Sequence, residues 1–70
     1  MDGNRFIIKK RLREYIERKR NLEQQVVDNP AMSRQERLVI DEIIIYYVNT
    51  IHKYEVLLSR VDSSFKIKTH

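Results

Sequence analysis

The chain has 70 residues, no cysteine, 14 Lys and Arg against 10 Asp and Glu, and a formal charge of +4. That length allows a single domain, residues 1–70, which buries only about 60% of the surface its unfolded chain exposes. Neither a disulfide nor a dense Cys/His set is available to staple so small a core. No run of eighteen or more apolar residues is present, so a membrane-spanning helix is excluded. Residues 1–6 lack the long apolar core of a secretory signal, and the missing cysteines fit a reducing compartment, so a cytoplasmic protein is expected.

The first predicted element is a helix over about residues 5–28. Ile8, Leu12, Tyr15, Leu22 and Val26 fall on one stripe, interrupted by Lys19, and cover roughly 80° of the circumference, the width of a seam with one partner helix. Arg13 with Glu17, Glu14 with Arg18 and Lys19 with Glu23 stand four apart and can support the helix as ion pairs. Asp2 or Asn4 can cap its start. Asp28-Asn29-Pro30 ends it, because Pro30 has no amide donor and pushes Asn29 away from helical dihedrals.

The second helix is predicted over about residues 33–61, opened by the capping-box spacing Ser33-Arg34-Gln35-Glu36. From Ile40, apolar residues recur at 40, 44, 47, 51, 54, 58 and 61, alternating steps of four and three, whereas a strand needs a period of two. Val48-Asn49-Thr50 are weaker helix formers, so a bend is permitted there. A loose tail, 62–70, completes the chain. With a link of about four residues, the second helix turns back along the first, giving an all-α, coiled-coil-like antiparallel hairpin. The expected seam sets Ile8, Leu12, Tyr15, Ile16, Leu22 and Val26 against Ile40, Ile44, Tyr47, Ile51, Tyr54 and Leu58.

The second helix carries more apolar residues than that seam uses. With Ile44 at zero and about 100° per residue, the seam centres near −50°, while Leu38, Ile45 and Val56 lie at about +100° to +120°. Val39, Tyr46 and Leu57 lie off the seam on the other side, at about −140° to −160°. The expected partner-binding residues are Leu38, Ile45, Tyr46, Val48 and Val56, covered by self-association or by a protein partner. The competing expectation is that the tail folds back over this face, with Val61, Phe65 and Ile67 as cover.

Residues 5–20 hold eight Lys and Arg against two Glu, with Lys9, Lys10, Arg13 and Arg20 forming the candidate basic patch. Such a patch attracts acidic proteins or nucleic acid. No recognition helix, zinc finger or aromatic stacking strand accompanies it, and a solvated helix face is the commoner cause, so nucleic acid is not the favoured partner.

Site chemistry is sparse. His52 and His70 are the only imidazoles, and His52 with Glu55 reads as a surface contact rather than a metal site; no metal and no cofactor is expected. Gly3 is the sole glycine, so there is no Gly-rich phosphate loop, and no serine has a base positioned by a local motif. Asp41 interrupts the most apolar stretch at about +60°. It reads either as a partner of Arg37 or Arg11, or as a carboxylate presented on a docking surface. The expected protein is a small non-enzymatic interaction or regulatory protein.

Ile16, Glu17 and Arg20, followed by Ile40-Asp41 and then Ile43, Ile44 and Tyr47, resemble the short aspartyl-phosphate phosphatases that restrain sporulation in bacilli. That family is a two-helix hairpin with an Ile-Glu-x-x-Arg stretch on its first helix and Ser-Gln-Glu-Leu-Asp on its second. Here Arg37, Leu38 and Val39 replace the Ser-Gln-Glu triplet, and the loop is about one turn shorter. The resemblance, over about half the chain, implies a surface centred on Asp41 that docks on a phosphorylated response regulator and promotes its dephosphorylation. The Ile/Tyr-rich second helix is also similar to those of the hairpin co-chaperones of type III secretion needle subunits, which implies a larger chaperone partner.

Overall fold

The structure, a computed structural model, describes residues 2–62, with side chains from residue 4 onward. Its two helices, α1 (Asp2–Asp28) and α2 (Arg34–Val61), pack along each other as an all-α hairpin. Arg5 and Lys9, near the start of α1, reach Asp62 at the end of α2, so the helices run antiparallel. The long dimension of 47 Å is close to the roughly 42 Å that 28 helical residues span.

The turn is made by its residue types. The Met32 N–H donates to the Asn29 carbonyl at 3.1 Å, which places Pro30, with its preset φ, at the second position of a β-turn. Ser33 then stands in extended geometry (φ −66°, ψ 156°), and its Oγ accepts the Glu36 amide at 3.2 Å, satisfying one of the four free donors at the start of α2.

The core follows the predicted seam. Leu12, Ile51 and Leu58 are buried, and Ile8, Tyr15, Ile16, Tyr47 and Tyr54 pack on them. Tyr15 is held between two rings one heptad apart on α2: Tyr54, nearly parallel at 5.5 Å between centroids, and Tyr47, tilted at 5.9 Å. The Arg18 guanidinium lies 5.6 Å from the Tyr15 centroid. Offset and tilted rings add to area burial because the edge of one faces the electron-rich face of the next. Lys19, the break in the α1 stripe, is half-buried with its ammonium 3.2 Å from Glu23, so its stem packs while its charge is paired.

Two expectations about the helix ends are corrected, and a permitted bend is not taken. α1 begins at Asp2, three residues before the predicted start, and Asn4 lies inside it rather than at its cap. The intrinsic propensity of Asp-Gly-Asn is poor, and the turn they form leads directly into the part of α1 that meets the end of α2 through Arg5 and Lys9. α2 is unbroken at 48–50, where the Thr50 hydroxyl donates to the Tyr46 carbonyl at 2.8 Å within the helix. Asp62 is not the start of a loose segment: it is buried, and its amide donates to the Leu58 carbonyl at 2.8 Å.

Candidate protein-interaction surface

Every buried residue of α2 and its C-cap (Ile51, Glu55, Leu58, Asp62) lies in the C-terminal half of that helix. In the loop-proximal half, Ile40, Ile44 and Tyr47 of the seam are only half-buried. Most of the exposed apolar residues of α2 lie in this same half, Leu38 (54% exposed), Val39, Ile43, Ile45 (59%) and Tyr46 (59%), with Val48 (39%) just past its midpoint. α1 shields one side of α2 and leaves apolar side chains on both flanks.

Those side chains form two strips. Leu38 and Ile45 lie on one flank with Asp41 between them, at spacings of three and four that put all three on one helix face. Val39, Ile43, Tyr46 and Leu57, with Thr50 inside the series, line the other at alternating steps of four and three. Of the predicted partner-binding residues, Leu38, Ile45, Tyr46 and Val48 are exposed as expected, but they do not form one patch, because Tyr46 points to the opposite flank from Leu38 and Ile45. Val56 is only half-exposed, since it sits in the C-terminal half where the hairpin packs most closely. Val39, Ile43 and Leu57 are exposed too and stand outside the expected set, although their alternation with Tyr46 marks them in the sequence. Phe6, Ile7 and Val27 of α1 are also exposed and lie off its predicted stripe. The proposed covering residues Phe65 and Ile67 lie outside the described residues, while Val61 is exposed.

Asp41 is bound along its own helix: the Arg37 Nε–H donates to its Oδ1 at 3.1 Å, with both side chains about half exposed. Of the basic patch, Lys9 is drawn 3.6 Å from Asp62 together with Arg5 at 3.9 Å, while Lys10, Arg13 and Arg20 are exposed. Asp62 would oppose the negative end of the α2 dipole, and these two cations, with the positive end of α1, offset that repulsion. Glu55, expected as a surface partner of His52, is instead buried against α1 at 2% exposure while His52 is exposed. Among the described residues no group of three His, Cys, Asp or Glu can hold a metal, and no helix is long and apolar enough to cross a membrane. Comparison with protein-family models, with curated proteins and with solved structures found no match.

Proposed function

We propose that this chain is a small helical interaction protein whose second helix docks on another protein surface. The observation that carries this reading is the continuous exposure of Leu38, Val39, Ile43, Ile45 and Tyr46 on a helix whose seam there is itself only half-buried. Burying a large aliphatic or aromatic side chain gains roughly 1.5 to 3 kcal/mol, so a handful of these residues rivals the whole margin of a small domain. The test is size fractionation of the chain in extracts of cells that make it, beside a Leu38→Glu/Ile45→Glu/Tyr46→Glu variant. The native chain should run in an assembly well above 8.6 kDa and the variant as a free hairpin of unchanged helicity. A native chain running as a free monomer in the extract contradicts the proposal.

A second reading follows from the resemblance at Asp41, and the position of that carboxylate, half-exposed between Leu38 and Ile45, favours it. A response regulator docked on these two side chains would meet Asp41 beside its acyl phosphate, where a carboxylate can orient the water that attacks phosphorus. Hydrolysis then yields inorganic phosphate and restores the regulator's aspartate. An unchanged lifetime of phosphorylated regulator in the presence of the native chain eliminates this reading. A shortened lifetime that Asp41→Asn restores supports it.

A further inference from the structure

We propose that the occupant of the Val39–Tyr46–Leu57 flank is a second copy of this chain, with the two α2 helices antiparallel and a two-fold axis at the level of residue 48. This deepens the interaction reading and rests on it. Glu36, Val39, Ile43, Tyr46, Thr50, Lys53, Leu57 and Arg60 alternate by steps of three and four over the full length of α2, the spacing of a second coiled-coil seam beside the one that α1 occupies.

Antiparallel pairing about position 48 overlaps the whole of α2. It sets Val39 against Leu57, Ile43 against the stem of Lys53, and Tyr46 against Thr50 of the other copy. At both ends Glu36 meets Arg60, and along the rim Glu42 meets Lys53, each pair occurring twice by symmetry. All four charged side chains are exposed, and the ion pairs Arg5–Asp62, Lys9–Asp62, Lys19–Glu23 and Arg37–Asp41 engage none of them. Complementary charge on either side of an apolar strip sets orientation and register in such seams.

One further observation fits this occupant. The Thr50 hydroxyl is already spent on the Tyr46 carbonyl, so burying it at the centre of the interface leaves no donor unsatisfied.

The test is sedimentation of the purified full chain over a concentration series, beside Glu42→Lys, Lys53→Glu and the double exchange. The native chain should dimerise. Each single variant sets like charges together twice and should weaken dimerisation about tenfold; the double exchange should restore it. Val39→Asp/Tyr46→Asp should be monomeric with its helicity retained. A folded native chain that stays monomeric throughout overturns self-pairing, and if it still runs in a large assembly in extracts the interaction reading stands without it. A dimer indifferent to the charge exchanges, or broken by Leu38→Glu/Ile45→Glu but not by Val39→Asp/Tyr46→Asp, overturns the assigned flank.

Discussion

Tyr15 is the single side chain on which the most packing converges, with Tyr47 and Tyr54 against its ring and Arg18 near its face. Because the ring is half-buried rather than fully enclosed, Tyr15→Ala should destabilise the hairpin by about 2 to 3 kcal/mol, below the range for a fully buried aromatic residue. Chemical denaturation checks this, and Tyr15→Phe should cost far less, since the ring remains. Ser33→Ala removes the acceptor of the Glu36 amide and should cost about 1 kcal/mol by the same measurement. Part of this detail was legible beforehand. The Ser33 cap and the Arg37–Asp41 pair follow from local spacing alone. The burial of Glu55 was harder to see because an acidic residue reads as surface, and its place on the helix, at about +20°, puts it at the margin of the seam rather than at its centre. The tie from Asp62 to Arg5 and Lys9 needed the register between helices, which no local pattern supplies.

At the scale of the element, α2 makes contradictory demands on its neighbours. Its intramolecular seam accounts for one side, and the apolar residues at 38, 39, 43, 45 and 46 have no counterpart on α1, whose stripe is narrow and whose remaining faces are charged. The seam was readable because α-helical periodicity survives in Ile, Val and Tyr despite their preference for strands. The start of α1 and the half-burial of Val56 were not, since both depend on tertiary contact at one end of the hairpin. α1 carries its own consequence in Lys10, Arg13 and Arg20. Any attraction of these exposed cations to duplex DNA should fall steeply between low and physiological salt; binding that survives the change would require contacts beyond phosphate attraction.

As a whole molecule the hairpin is a thin rod, 47 by 15 by 15 Å, in which Leu12, Ile51 and Leu58 are the only buried apolar residues among those described. A core of that size leaves little margin against the entropy of ordering the chain, so association should contribute visibly to stability. Thermal unfolding should therefore shift upward by several degrees over a hundredfold rise in protein concentration, as mass action requires when only the folded form associates. A partner can dock on α2 only if that helix is apolar beyond what α1 covers. Hydroxyl-radical footprinting of the chain, diluted until sedimentation shows a monomer, tests this most directly. Leu38, Val39, Ile45 and Tyr46 should be modified rapidly and Ile51 and Leu58 slowly. Protection of the first four in that monomer to the level of Ile51 would contradict it.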